Sequence, residues 1–99
     1  MKKIKKATSE IKKLISGFDF IVCDNEIIFN DGYYNFKIIA DDDSEEYVLN
    51  IEDIRNKYNC DGVHYEHIKS LQDVIYKWAG MIHIYFKKSE QYFLSLCSV

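Results

Sequence analysis

Apolar residues near the start of the chain recur at helical spacing, with lysines filling most of the positions between them. The apolar positions, three or four residues apart, are Ile4, Ala7, Ile11, Leu14 and Ile15. This spacing places their side chains on one side of an α-helix. It predicts an amphipathic helix near residues 2–16, with Gly17 as its stop signal.

Beyond this helix the sequence changes to short runs rich in β-forming residues, and within residues 33–40 successive side chains alternate between two faces, as they do in a strand. The predicted strands cover residues 18–23, 26–29, 33–40 and 47–51. Asn30-Asp31-Gly32 is a strong turn signal between two of them, because glycine readily takes the positive φ that tight turns need. We therefore expect an antiparallel meander.

Helical spacing returns in the second half of the chain. Its apolar and aromatic positions are His64, Ile68, Leu71, Ile75 and Trp78. They predict a second main helix over residues 63–79 that ends at Gly80, preceded by one or two helical turns within 52–58. Residues 82–86 and 92–96 alternate on either side of a polar turn. A C-terminal β-hairpin is the simplest interpretation, and a helix there is the alternative.

These elements predict a single α+β domain spanning residues 1–99. It would have an antiparallel sheet of about four to six strands, an N-terminal amphipathic helix, and a second main helix before the C-terminal β-hairpin. The expected core contains Leu14, Phe36, Ile38, Leu71, Ile75, Trp78 and Ile84. One helix on each face of the sheet is the favoured arrangement. If both helices share a face, the other would present Tyr33, Tyr85 and Phe93 to a partner.

The net charge of −3 conceals a separation of charge along the chain. Residues 1–18 carry six lysines and one glutamate, whereas residues 19–66 carry thirteen acidic against three basic residues. The densest acidic stretch runs from Asp41 to Glu46. Either the basic helix lies near the acidic loop and offsets its field, or the loop presents phosphate-like charge to a basic partner.

The cysteines and the N-terminus predict a cytoplasmic protein. Cys23, Cys60 and Cys97 are odd in number and widely spaced, which is typical of free thiols rather than of a disulfide framework. The N-terminal lysines are not followed by the apolar run of a signal peptide, and no stretch is long enough to cross a membrane.

Candidate catalytic chemistry is sparse. Cys60, His64 and His67 include ligand types that bind zinc, and two histidines three residues apart would share one side of a helix. No second cysteine pair accompanies them, so we expect neither a metal nor a cofactor. The sequence contains no nucleophile motif and no glycine-rich phosphate loop. We therefore predict that the protein is not an enzyme.

The remaining interpretation is a small acidic protein-binding module. In size, acidity and order of elements it resembles phage inhibitors of bacterial defence, the anti-CRISPR type among them, and acidic immunity proteins that block nuclease toxins. The resemblance implies a basic partner, such as a nuclease or another nucleic-acid-binding protein. The predicted contact residues are Asp41, Asp42, Asp43, Glu45, Glu46, Tyr33, Tyr85 and Phe93.

Three alternatives remain. The lysine-rich helix could bind nucleic acid directly, although residues 19–66 carry the opposite charge. Cys60, His64 and His67 could form the centre of a small metal-dependent enzyme. The chain could also associate with a second copy of itself. Direct nucleic-acid binding is less expected than protein binding, and membrane binding is not expected.

Overall fold

The computed structural model describes residues 2–14, 19–56 and 58–97, and side chains within the last segment as far as Tyr85. In these residues the element order is α1 (Lys2–Leu14), β1 (Ile21–Cys23), β2 (Glu26–Asn30), β3 (Tyr34–Ala40), β4 (Tyr47–Asp53), β5 (Asp61–Ile68) and α2 (Leu71–Cys97). The predicted α+β class is confirmed.

The five strands form one antiparallel sheet in the order of the chain, so each strand pairs with its neighbours in sequence. The predicted turn joins β2 to β3, and Gly32 has a φ of 90°. Asn30 Oδ1 accepts a hydrogen bond from the Gly32 N–H at 2.7 Å. Asp31 Oδ1 accepts others from the Tyr33 and Tyr34 N–H groups, which closes the turn.

The sheet buries one of its two faces. Along β3 the even-numbered residues from Tyr34 to Ala40 are buried and the residues between them are half-buried. In β4 the buried positions are Tyr47, Leu49 and Ile51. This alternation is the expected pattern for a sheet with a core on one side only.

Both helices pack on this one buried face. Their core side chains are Ile4, Ala7 and Ile11 from α1 and Val74, Ile75, Trp78 and Ile82 from α2. Helix α1 contacts β2 and β3, α2 contacts β3, β4 and β5, and the helices touch each other. The favoured expectation of one helix on each face is therefore wrong, and the alternative with a shared face is correct.

Trp78 attaches α2 to the centre of the sheet. The side chain is fully buried, and its Nε1–H donates a hydrogen bond to the Phe36 carbonyl oxygen at 3.1 Å. The Phe20 ring meets the indole edge-on, with centroids 6.2 Å apart. The indole thus combines a large buried apolar area with a satisfied polar group.

Three predicted elements differ from the structure. Residues 63–68 belong to β5 rather than to a helix, and α2 begins only at Leu71. Residues 52–53 extend β4, and the predicted helical turns within 52–58 are absent from the described residues. The chain continues as α2 through Cys97, so the C-terminal hairpin is wrong and the helical alternative is correct.

The expected core is correct in part. Phe36, Ile38, Ile75 and Trp78 are fully buried, and Leu71 packs partly buried against the core. Leu14 and Ile84, however, are 44% and 51% exposed. Leu14 is the last residue of α1, and Ile84 lies on the outer side of a helix rather than on the inner side of a strand.

Candidate functional site

The acidic loop between β3 and β4 is attached to the first turn of α1. Asp42 lies beside the start of the helix, where its carboxylate accepts hydrogen bonds from the backbone N–H groups of Lys2 and Lys3 at 3.2 and 2.9 Å. These are donors that a helix cannot satisfy internally. The bond from the Lys3 N–H is the main reason why the pKa of Asp42 lies below its ordinary value.

Lys3 adds a second attachment between the same segments. Its Nζ donates to the carbonyl oxygens of Ser44 and Glu46, and it lies 4.3 Å from the centroid of the Tyr47 ring. The lysine-rich helix and the acidic loop therefore contact each other within the chain, which accounts for part of the charge separation in the sequence. Asp42 and Lys3 stabilise the junction between helix and loop.

The remaining acids of the loop project from a defined turn. Asp41, Asp43 and Glu45 are exposed. Asp41 Oδ1 accepts a hydrogen bond from the Asp43 N–H at 3.0 Å, and Ser44 Oγ accepts one from the Glu46 N–H at 3.1 Å. Such side-chain bonds to nearby backbone groups fix the path of a turn.

A second acidic turn lies beside this loop. The Ala40 N–H donates to the Asn25 carbonyl oxygen at 2.8 Å, which places the β1–β2 turn next to the start of the acidic loop. Asp24 in that turn is exposed. We call Asp24, Asp41, Asp43 and Glu45 the acidic end of the sheet.

The sheet face away from the helices, here called the uncovered face, is not packed against any element of the described chain. Strand pairing arranges its side chains in rows. One row runs Ile21, Ile28, Lys37, Asn50 and Tyr65, and the next runs Cys23, Glu26, Ile39, Val48 and His67. Both rows contain apolar and polar side chains, and most of these side chains are half-buried.

A polar network occupies the centre of the uncovered face. Lys37 Nζ lies 3.4 Å from Glu52 Oε2, and Asn50 Nδ2 donates to Glu52 Oε1 at 3.3 Å. The side chains of Lys37 and Glu52 are only 18% and 24% exposed. The one lysine in these rows is thus neutralised, and Ile28, Ile39 and Val48 supply apolar surface beside it.

His67 joins the uncovered face to the acidic loop. Its Nδ1 lies 3.1 Å from Glu46 Oε2, and its ring meets the Tyr65 ring at a centroid distance of 5.4 Å. Tyr65 is 64% exposed. The uncovered face and the acidic end therefore form one continuous surface.

The three predicted contact aromatics do not lie together on this surface. Tyr33 is half-buried against the core. Tyr85 lies on α2 and packs on the core side of the sheet, 5.0 Å from the Tyr34 ring. Phe93 lies in the part of α2 whose side chains are outside the described residues. Tyr65 is the exposed aromatic on the uncovered face, and it was missed because β5 was predicted as a helix.

The two histidines of the alternative metal-dependent site point apart. Because His64 and His67 are three residues apart on a strand, they lie on opposite faces of β5. His64 Nε2 lies 3.0 Å from Glu66 Oε2, whereas His67 contacts Glu46. Lys77 Nζ also donates to Glu66 at 2.6 Å, and this bond is the main reason why the pKa of Glu66 is lowered. Among the described residues no three metal-ligating side chains converge.

The lysine side of α1 borders a shallow groove. The groove has a volume of about 390 Å³ and lies between α1 and β1. Its lining residues are Ile4, Lys5, Thr8, Ser9, Lys12 and Val22. Lys5, Lys6, Lys12 and Lys13 are exposed, so the nucleic-acid alternative keeps a basic surface, on the opposite side of the molecule from the uncovered face.

The chain matches no protein-family model, and it has no significant match among curated proteins or solved structures. No helix in the described part of the chain is both long and apolar enough to cross a membrane.

Proposed function

We propose that this chain is a protein-binding module that docks a basic partner on the uncovered face and the adjoining acidic end. The observation that carries the proposal is the placement of both helices on one side of the sheet. That placement leaves a five-stranded surface that no element of the described chain covers, and the contact between His67 and Glu46 joins this surface to the acidic loop.

The composition of this surface is suited to protein binding. Protein interfaces combine an apolar centre that is poor in free charge with a polar rim. Ile28, Ile39 and Val48 supply apolar area, and the Lys37–Glu52 pair leaves little free charge near the centre. Tyr65 adds a residue type that is enriched at interfaces.

The charge of the rim favours a basic partner over nucleic acid. The acidic end carries four exposed carboxylates, and Glu26 and Glu46 add two more at the border of the uncovered face. These carboxylates would repel the phosphates of DNA or RNA and so weaken its binding there. A positively charged protein groove would instead be steered toward them.

This chemistry supports an inhibitory role. A basic groove that binds the phosphates of DNA or RNA would accept exposed carboxylates in their place. The acidic loop is held to α1 by Asp42 and Lys3, so its carboxylates need little ordering on binding. The proposed activity is therefore occupation of the nucleic-acid site of a nuclease or another nucleic-acid-handling protein.

Two variants with matched charge changes test the proposal. The first combines Asp41→Asn, Asp43→Asn and Glu45→Gln, and the second combines Lys5→Gln, Lys6→Gln and Lys12→Gln. Each removes three exposed charges and keeps the side chains polar, and thermal melting shows whether each remains folded. Immobilised wild-type chain and both variants are incubated with lysate of the encoding organism, and the retained proteins are identified by mass spectrometry.

We expect the wild type and the lysine variant to retain the same basic protein, and the acid variant to lose it. A third variant, Ile39→Thr with Val48→Thr, keeps β-branched side chains but makes the uncovered face more polar, and should also lose the partner. The nucleic-acid alternative requires the opposite ranking, with retention of DNA or RNA that depends on the lysines alone.

A further inference from the structure

Strand β5 forms one edge of the sheet, and within the described chain nothing pairs with its outer side. It is eight residues long, whereas β1 at the other edge has three. Natural edge strands are usually protected by lysine, proline or a bulge. Between Asp61 and Ile68 there is neither lysine nor proline, and the bulge lies near the start of the strand, before His64. The segment from His64 to Ile68 is therefore a regular, available edge.

Two backbone hydrogen bonds show which groups of this edge point outward. The Ile54 N–H donates to the Tyr33 carbonyl oxygen, and the Ala40 N–H to the Asn25 carbonyl oxygen. In an antiparallel sheet the direction of these groups alternates along each strand. It follows that the odd-numbered residues of β4 bond to β5, and that His64, Glu66 and Ile68 return those bonds. The N–H and C=O groups of Tyr65 and His67 then point away from the sheet.

We infer that β5 pairs with β5 of a second copy, in antiparallel orientation, with Tyr65 opposite Tyr65 at the two-fold axis. The outward-facing backbone groups of β5 belong to odd-numbered residues, so antiparallel pairing places odd-numbered residues opposite odd-numbered residues. Only a few registers near the middle of the strand satisfy this condition. With Tyr65 at the axis, His64 of each chain lies opposite Glu66 of the other. The two-fold axis produces this pair of a histidine and a glutamate twice.

The neighbouring registers lack this complementarity. A shift that brings Tyr65 opposite His67 places the two Glu66 carboxylates face to face, and like charges directly opposite are destabilising. A shift in the other direction pairs His64 with His64 and leaves Glu66 opposite Gly62. The register with Tyr65 at the axis keeps the two Glu66 carboxylates apart and places a hydrogen-bonding histidine opposite each, beside the contacts that Glu66 makes with His64 and Lys77 of its own chain. This self-complementarity favours a second copy of β5 as the occupant of the edge.

The dimer extends the surface described above. Antiparallel pairing about this axis joins two sheets into one of ten strands, with all four helices on the same side. The two uncovered faces become continuous through the Tyr65 pair. This inference does not rest on the proposed function, because it uses only the backbone and side chains of β5.

The first test measures mass in solution for the full chain by sedimentation velocity, from low micromolar to millimolar concentration. We expect a concentration-dependent dimer. Tyr65→Lys places two like charges opposite each other at the axis and should raise the dimer dissociation constant by about tenfold. The matched control is Tyr76→Lys, because Tyr76 on α2 is 62% exposed and Tyr65 is 64% exposed. Both variants are first checked for folding by thermal melting.

The second test determines the register. Cys23, Cys60 and Cys97 are replaced by Ser, and one cysteine is introduced by His64→Cys, Tyr65→Cys or Glu66→Cys. Under mild oxidation Tyr65→Cys should cross-link fastest, because residues paired at the axis have Cα atoms about 5.5 Å apart. Faster cross-linking at either neighbouring position would contradict the register. A wild-type chain that stays monomeric at millimolar concentration, or a dimer unaffected by Tyr65→Lys, would overturn the inference.

Discussion

Asp42 connects the acidic loop to the lysine-rich helix α1 by accepting two hydrogen bonds from backbone N–H groups of the helix. The first turn of α1 carries several lysines, which the helix dipole disfavours at that end. A carboxylate that caps the N-terminal N–H groups offsets this cost. One acid of the run therefore has a structural role, although the sequence showed five acids without indicating which of them was different.

Substitution of the capping residue should be more harmful than substitution of its neighbour. Asp42→Ala removes both hydrogen bonds to the helix and should lower the melting temperature by several degrees. Asp43→Ala removes a carboxylate of the same type from an exposed position and should leave the melting temperature nearly unchanged. Differential scanning calorimetry measures both. Equal effects of the two substitutions would show that Asp42 does not cap α1.

Acid should destabilise the fold through three carboxylates. Hydrogen bonds from the Lys3 N–H, the Arg55 side chain and the Lys77 side chain lower the pKa of Asp42, Asp53 and Glu66 respectively. A group whose pKa is lower in the folded state stabilises that state above the unfolded pKa, and this contribution is lost as pH falls through the folded pKa.

The free energy of unfolding should therefore stay level from neutral pH to about pH 5 and fall below about pH 4. Urea titration at a series of pH values measures this profile. Asp42→Asn, which cannot ionise, should show a shallower decline than the wild type. A decline that is identical in the variant would assign the acid sensitivity to other groups.

At the scale of elements, β5 and α2 show that side chains at helical spacing do not always belong to one helix. His64 and Ile68 fall at helical spacing with Leu71, so an edge strand and the helix that follows it looked like one helix. The alternation within β5 is weak because an edge strand buries little of either face. In the tail, the polar run Lys87-Lys88-Ser89-Glu90 suggests a turn, yet it contains neither Gly nor Pro and its residues are tolerated in helices.

Gly80 tests whether α2 is continuous. The sequence predicts that it ends the helix, but it lies within Leu71–Cys97, and a Cβ at this position would have no atom within 4 Å other than its chain neighbours and the backbone of its own helix. Gly80→Ala should therefore raise the free energy of unfolding by about 0.5–1 kcal/mol. Gly32→Ala, at a φ of 90°, should instead lower it by about 1–2 kcal/mol. Destabilisation by Gly80→Ala would indicate that the helix ends there.

Trp78 tests how α2 is held to the sheet. Trp78→Ala removes a fully buried indole and leaves the Phe36 carbonyl without its donor, so it should cost about 3–5 kcal/mol. Tyr76→Ala on the exposed side of the same helix should change stability by about 0.5 kcal/mol or less. Chemical denaturation measures both. An unchanged stability in Trp78→Ala would contradict the packing of α2 on β3.

At the scale of the whole molecule, the placement of both helices on one face of the sheet could not be predicted from the periodicity of the sequence. Alternation in β3 was clear in the sequence, and it located Phe36 and Ile38 in the core. Alternation does not show whether a second helix covers the other side, since Ile28, Ile39 and Val48 would suit either arrangement. The acidic run was visible as well, but its continuity with the uncovered face depends on the register that places His67 beside Val48 and within reach of Glu46.

The association rate with the basic partner tests the protein-binding proposal most directly. Stopped-flow mixing over a range of salt concentrations compares the wild type with the variant that combines Asp41→Asn, Asp43→Asn and Glu45→Gln. We predict fast association that slows as salt rises for the wild type, and slower association with a weaker dependence on salt for the variant. Equal rates and equal salt dependence for the two chains would contradict the proposal, because the acidic end would then make no contribution to partner recognition.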